Sequence, residues 1–106
     1  MKGRFLTAAE IAEFKNHLTL EERSAATIEK YIRDVSAFAV YAQEAAITKE
    51  TVIGYKKHLL ERYAVRSVNA MLAGLNGFFV FHGWHDLKVK TLKLQQQVLM
   101  YYVRSQ

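Results

Sequence analysis

Apolar residues recur with the 3.6-residue period of an α-helix in four segments of the chain. The clearest segment follows Ser24, where apolar side chains keep the i, i+3, i+4, i+7 spacing of one helix face. These positions are Ile28, Tyr31, Ile32, Val35, Phe38, Ala39 and Ala42. Ser24 is a suitable N-cap, because a serine hydroxyl accepts a hydrogen bond from the free N–H groups of a first helical turn. The pattern predicts that helix two begins here.

Two further segments predict helices one and three. Helix one runs from about Ala8 to Leu18, with Thr7 as its N-cap and Glu10 as the capping-box partner. Its apolar stripe consists of Ile11, Phe14 and Leu18. Helix three begins after Thr48, which is also a good N-cap residue. Its core positions are predicted to be Val52, Tyr55, Leu59 and Tyr63.

The fourth segment predicts a helix that begins after Ser67 and ends at Gly83, since glycine is favoured just beyond a last helical turn. Its core-facing residues are Val68, Leu72, Leu75, Phe78, Phe79 and His82. Leu87-Lys88-Val89-Lys90 alternates like a strand, so residues 86–94 are predicted to be an extended basic linker, and the last dozen residues favour a marginal fifth helix. Because no parallel-sheet rhythm is present, the predicted class is all-α, a four- to five-helix orthogonal bundle.

Composition limits the classes of protein to which the chain can belong. The 106 residues fit one domain, and 51% of them are hydrophobic, which is typical of a globular chain. The absence of cysteine excludes disulfides and thiolate metal sites. No apolar run approaches the ~20 residues that span a bilayer, and no signal peptide is visible. We therefore expect a cytoplasmic protein with no membrane partner.

Charge is distributed unevenly along the chain, whose net charge is +5. Residues 1–50 carry seven basic and eight acidic side chains, a net charge of −1. Residues 51–106 carry eight basic and two acidic side chains, a net charge of +6. This asymmetry favours a polyanionic partner or an acidic protein surface.

The residue types needed for catalysis do not converge in the sequence. The serines fall at predicted caps, on helix surfaces or in the tail, so none has the setting of an activated nucleophile. His82 and His85 have a spacing that could bind a metal, but a partly buried His82 and a surface His85 explain the pair more simply. No glycine-rich phosphate loop is present. We therefore expect no catalytic residue, no metal site and no cofactor.

Nucleic-acid binding fits the polar positions of helices two and four better. On helix two the candidate residues are Thr27, Lys30 and Arg33, and around the start of helix four they are Arg66, Ser67 and Asn69. Helix N-termini attract phosphates through free N–H groups and the helix dipole, and an asparagine amide can pair with adenine. Helix capping by the hydroxyls and surface solubility from the lysines explain the same residues equally well.

Three runs of residues, in order, resemble the core-binding domain of the phage integrase family of tyrosine recombinases. The second helix of that domain is similar to Ser24-x-x-Thr27-x-x-x-Tyr31-x-x-Asp34-Val35-x-x-Phe38. Its third helix is similar to Ile47-Thr48-x-x-x-Val52-x-x-Tyr55-x-x-x-Leu59. Its fourth is similar to Ser67-Val68-Asn69-x-x-Leu72-x-x-Leu75-x-x-Phe78-Phe79-x-Phe81, and Leu92-Lys93-Leu94-Gln95 is similar to the connector that follows. The similarity covers roughly residues 6–97.

The resemblance implies a SAM-like helical domain that clamps double-stranded DNA together with a catalytic domain. Residues 1–85 would form the core-binding domain, and residues 86–106 a basic linker and C-terminal segment leading towards an absent catalytic domain. By this resemblance DNA is contacted by Thr27, Lys30, Arg66, Ser67 and Asn69, with Lys88, Lys90 and Lys93 as phosphate anchors on the linker. The family's nucleophilic tyrosine lies in the catalytic domain, so the chain itself is expected not to be an enzyme. The resemblance also allows self-association on DNA.

The sequence departs from the family where many relatives carry arginines on the exposed face of helix four. This chain has Ala70, Met71 and Asn76 there, which predicts weaker binding or specificity from other positions. Two alternatives remain open at this point. One is a helical protein–protein module that docks through its apolar tail and the aromatic residues of helix four. The other is a helix-turn-helix regulator built from helices three and four.

Overall fold

The computed structural model describes residues 3–93 of the chain. Within these residues the fold consists of four α-helices and one short 3₁₀ helix, and no β-strand is present. The elements are α1 (Ala8–Leu20), α2 (Ala25–Ala42), α3 (Lys49–Leu60), α4 (Val65–Phe81) and the 3₁₀ helix His85–Leu87. The prediction of an all-α bundle is confirmed. The expected fifth helix lies outside the described residues.

The first three helices begin at the predicted N-caps. The Thr7 N–H donates to the carboxylate of Glu10 (2.9 Å), which is the reciprocal bond of a capping box. The Ser24 hydroxyl oxygen accepts from the Thr27 N–H (3.1 Å), and the Thr48 hydroxyl oxygen accepts from the Thr51 N–H (3.2 Å). Each bond satisfies a backbone group that would otherwise lack a partner at the helix end.

Two predictions about the α3–α4 connection are wrong. Helix α4 begins at Val65 rather than after Ser67, because the Ala64 carbonyl already accepts a bond from the Val68 N–H (2.9 Å). Ala64 offers no side-chain acceptor, so the sequence carries no capping signal at the true start. Tyr63 is 48% exposed rather than buried. The chain turns back after Leu60, and this turn carries Tyr63 off the buried face of α3.

Helix α4 ends at the predicted glycine, in a Schellman motif. The Gly83 N–H donates to the Val80 carbonyl oxygen (3.0 Å), and the Trp84 N–H donates to the Phe79 carbonyl oxygen (2.7 Å). Gly83 has φ +76°, in the left-handed region that glycine enters without penalty. The Trp84 ring then lies over Phe79, with ring centroids 6.4 Å apart.

Helix α4 is the central element of the core and packs against α2, α3 and the 3₁₀ helix. It contributes the buried residues Val68, Leu72, Gly74, Leu75, Phe78 and Phe79. Gly74 brings α2 close: a Cβ atom at this position would lie 3.2 Å from the Tyr31 ring. Phe14 of α1 and Phe38 of α2 complete the aromatic centre, packing edge-on against Phe78 and Phe79 respectively.

Beyond the 3₁₀ helix, residues 88–93 form no helix or strand and pack on the bundle. Leu87 is 1% exposed and Val89 is 7% exposed, and both belong to the same hydrophobic core as the helices. We refer to residues 88–93 as the connector segment. Its position against α3 and α4 determines which polar side chains of these helices remain open to a ligand.

Candidate nucleic-acid interface

One face of α4 is open to solvent except at Gly77, which is half-buried beside Phe14 of α1. It consists of Arg66, Ala70, Ala73, Gly77 and Val80, which follow the i, i+4, i+7 spacing of a single helical face. We call these five residues the α4 ridge. Apart from Arg66 and Val80 the ridge carries small side chains, so the helix backbone itself lies close to the surface.

Lys30 of α2 borders the α4 ridge. Its ammonium group donates to the Ala70 carbonyl oxygen (3.1 Å) and to the Asp34 carboxylate (2.6 Å). The Asp34 side chain is only 10% exposed, so this carboxylate holds the lysine head in place from the protein side. The bonds fix a cation at the boundary between α2 and the ridge.

Thr27 and Arg33 have different positions on α2. The Thr27 hydroxyl accepts a hydrogen bond from the Ser24 hydroxyl (2.9 Å) and so takes part in the α2 N-cap. Arg33 is exposed on a hollow that Lys15 of α1 also lines, together with Glu29. The structure therefore does not bring Arg33 together with Lys30 and Arg66.

Arg66 and Ser67 are both exposed and lie in the first turn of α4. The N-cap residue Ala64 makes no side-chain bond to this turn. The backbone N–H groups at the start of α4 thus have no side-chain acceptor, which is the arrangement in which helix ends bind anions.

Asn69 lies one turn further on and contacts the connector segment. Its amide N–H donates to the Leu92 carbonyl oxygen (2.7 Å), and its amide oxygen accepts from the Leu92 N–H (2.8 Å). Both groups that could pair with an adenine base are therefore used within the chain.

Asn76, which was expected on the exposed face of helix four together with Met71, is instead half-buried and makes the same pair of bonds two turns along α4, while Met71 packs against the core. It donates to the Val89 carbonyl oxygen (2.8 Å) and accepts from the Val89 N–H (3.1 Å). A signal was present in the sequence: Asn69 and Asn76 are seven residues apart, so they share one face of a helix whose neighbouring positions are apolar. Half-buried side-chain amides between apolar neighbours need hydrogen-bond partners.

Two lysines of α3 hold the connector segment from its other side. The Lys49 ammonium donates to the Lys88 carbonyl oxygen, and the Lys56 ammonium donates to the Lys90 carbonyl oxygen (2.6 Å). The side chains of Lys88, Lys90 and Lys93 themselves are exposed. The sequence predicted a basic linker, but its spacing did not predict the hydrogen bonds that Asn69, Asn76, Lys49 and Lys56 make to the backbone of the connector segment.

An ion pair joins the start of the chain to the 3₁₀ helix. Arg4 donates to both carboxylate oxygens of Asp86 (2.8 Å each), and this bonding holds the pKa of Asp86 below its ordinary value. The Arg4 guanidinium also lies 6.0 Å from the centre of the Trp84 ring. The negative charge of Asp86, which precedes the connector segment, is thus balanced by Arg4 within the domain.

His82 and His85, the two histidines considered as metal ligands, differ in their surroundings. His82 is half-buried, with its ring near Phe78 and its Nε2 atom 3.2 Å from the Glu10 carbonyl oxygen, whereas His85 is exposed. Among residues 3–93 no group of three or more histidine, cysteine or acidic side chains could hold a metal ion. No helix in this part of the chain is long and apolar enough to cross a membrane.

Comparison with known proteins agrees with the helical pattern. No curated protein and no solved structure matches the chain. The family model of the phage integrase N-terminal SAM-like domain matches residues 11–85, from within α1 to the first residue of the 3₁₀ helix. This region contains α2, α3 and α4 complete. The chain therefore belongs to the family of phage integrase N-terminal SAM-like domains.

Proposed function

We propose that the domain binds double-stranded DNA through the α4 ridge and the cations beside it, as the non-catalytic part of a tyrosine recombinase. DNA cleavage would take place in a separate catalytic domain of the same protein. The observation that carries the proposal is the bond from Lys30 to the Ala70 carbonyl oxygen (3.1 Å). It gives α2 and α4 one joint surface with a fixed cation at its centre.

The shape of the α4 ridge suits a duplex. Ala70, Ala73 and Gly77 add little bulk to the helix, so α4 can approach the base edges of a major groove closely. Arg66 and the open first turn of α4 would contact a flanking phosphate, with Ser67 as a further donor. Small apolar side chains contribute contacts with thymine methyl groups but few hydrogen bonds, so most of the affinity would come from phosphates.

The remaining candidate residues divide into two groups. Lys88, Lys90 and Lys93 have exposed side chains on the connector segment and are proposed as further phosphate contacts. Thr27 would act through the α2 cap, next to Lys30. Arg33 faces a different hollow and Asn69 is bonded to Leu92, so neither is part of the surface proposed here.

A salt-stepped titration with a labelled duplex tests the proposal, using a carboxylate placed on the α4 ridge. Ala73→Glu adds a negative charge at an exposed helical position, so it should weaken DNA binding about tenfold or more without loss of folding. Ala12→Glu makes the same change at an exposed position of α1 and should leave affinity within about twofold. For the unmodified chain, log affinity should fall with log salt at about −0.9 per neutralised phosphate.

Three results would count against this surface. Equal effects of Ala73→Glu and Ala12→Glu would show that DNA contacts the domain elsewhere. Binding that is insensitive to salt would favour the alternative function, a helical module that docks on proteins. The absence of duplex binding at low salt would remove the DNA proposal for this domain altogether.

A further inference from the structure

An open groove on the outer side of α3 combines a cationic rim with an apolar floor. Its volume is about 410 Å³, and its rim is formed by Lys49, Lys56, Lys57 and Lys90. Its floor is formed by Ile53, Leu60 and Val89. The Ile53 side chain is 45% exposed, although isoleucine is among the residue types most often buried. We call this feature the lysine groove; it shares no lining residue with the α4 ridge.

Among residues 3–93, no carboxylate within the lysine groove balances its positive charge; Lys49 acts at longer range on Asp86, whose carboxylate is paired with Arg4. No carboxylate lines the groove, and none of the ion pairs among residues 3–93 includes any of its four lysines. Lys49 and Lys56 each donate one hydrogen bond to a carbonyl oxygen of the connector segment. Since an ammonium group has three N–H donors, both retain donors for a ligand. Four neighbouring like charges favour an anionic partner.

We infer that the lysine groove binds an acidic peptide segment of a partner protein, with an apolar side chain over Ile53 and carboxylates on the lysine rim. Because the groove has a cationic rim and an apolar floor, its ligand needs both carboxylates and an apolar side chain. The lysines recognise carboxylates, and the floor of Ile53, Leu60 and Val89 recognises the apolar side chain between them. This interaction surface has only Lys90 in common with the phosphate contacts proposed above, and it goes beyond the DNA-binding function.

Two other occupants match only half of the groove. A DNA backbone supplies the negative charge but no apolar group that would cover the floor. The chain's own residues 94–106 include apolar side chains, but they contain no Asp or Glu to pair with the rim. Charge and apolar surface together therefore point to an acidic peptide.

A second copy of the chain is the third alternative. Leu20 at the end of α1 is 74% exposed and is followed by Glu21 and Glu22. The Glu21 carboxylate, however, already pairs with His17 (3.4 Å) and Arg23 (3.3 Å). This leaves one unengaged carboxylate for four lysines, which is a poor match in charge.

The test uses a labelled synthetic peptide in which aspartate and glutamate residues flank a central leucine, titrated with the whole chain by fluorescence anisotropy. Binding should be salt-sensitive, and Lys57→Glu should weaken it about tenfold or more. Lys15→Glu, the same change on α1 outside the groove, should leave affinity within about twofold. Replacing the peptide's leucine by serine should weaken binding about tenfold, since the floor then lacks its apolar partner.

Any of the following binding results would overturn the inference. Equal effects of Lys57→Glu and Lys15→Glu would mean general charge attraction, and an unaffected serine peptide would mean that the floor is not used. The groove would be assigned to DNA if duplex DNA displaced the peptide and if Lys57→Glu also weakened the binding of that DNA. Concentration-dependent self-association that is abolished by both Lys57→Glu and Leu20→Ser would assign it to a second copy. Matching thermal unfolding of the variants would exclude misfolding as the cause.

Discussion

Tyr55 is the residue whose ionisation depends most clearly on the fold. Its side chain is 5% exposed, and its ring lies 5.0 Å from the ring of Phe38 and 5.0 Å from that of Tyr41, measured between centroids. Burial raises its pKa from 10.0 to about 12, because the phenolate would lose hydration, and the negative charge of Asp34 acts in the same direction. The folded state therefore retains the Tyr55 proton at pH values where the unfolded chain releases it.

This difference predicts a loss of stability at alkaline pH that Tyr55→Phe removes. The contribution of Tyr55 is fully present below pH 10 and is lost as the pH rises towards about 12, by up to about 1.4 kcal/mol per pH unit. Urea unfolding of both proteins across this range measures it. The other tyrosines and lysines titrate in both proteins, so subtracting one curve of unfolding free energy against pH from the other removes their contribution. Parallel curves for the unmodified chain and Tyr55→Phe would contradict the prediction.

Single residues also show how far polar positions can be assigned from sequence. Thr7, Ser24 and Thr48 cap the helices that the sequence analysis assigned to them, because a cap bonds to a backbone group only a few residues away. Asn69 bonds to Leu92 instead, 23 residues further along the chain. The sequence around Asn69 does not reveal such a partner, since it depends on the path of a distant segment.

At the level of elements, the connector segment is held by paired side chains on two helices. Asn69 and Asn76 bond to both backbone groups of Leu92 and Val89, respectively. The α3 lysines Lys49 and Lys56 bond to the carbonyl oxygens of Lys88 and Lys90. The prediction of extended backbone for residues 86–94 is wrong at Asp86 and Leu87, which lie in the 3₁₀ helix, whereas Lys88 does have extended backbone angles. The attachment of the connector segment to α3 and α4 was not predictable, because it is made by side chains from other helices.

Amide hydrogen exchange should show that each asparagine protects one residue of the connector segment. Asn76→Ala should expose the Val89 amide and Asn69→Ala the Leu92 amide, each with a loss of about 1–3 kcal/mol of local stability, since half-buried backbone groups lose their partners. Asn16→Ala, at an exposed position of α1, is the matched control. Unchanged exchange at Leu92 in Asn69→Ala would mean that this asparagine is available for other contacts, DNA included.

Across residues 3–93, the sequence predicted the four α-helices and the identity of most core residues, and it was less successful at the boundaries of helices and of the domain. The periodic stripes identified Phe14, Phe38 and Phe78 as core, because one face of each helix must be buried. The end of the helical domain was placed at residue 85. Leu87 and Val89 nevertheless lie within the same core, although the basic residues around them gave that stretch the composition of a linker.

Shortening the chain tests whether residues 86–93 are part of the folded unit. A chain of residues 1–85 loses the buried side chains of Leu87 and Val89, each worth about 1.5–3 kcal/mol, and leaves two asparagine amides of α4 without partners. Since small domains are stable by only about 5–15 kcal/mol, we expect residues 1–85 to melt far below residues 1–93 or to remain unfolded. Thermal unfolding followed by circular dichroism compares the two. Equal melting temperatures would show that the connector segment rests on a bundle that is complete without it, and the α3 and α4 faces beneath it would then be open to ligands.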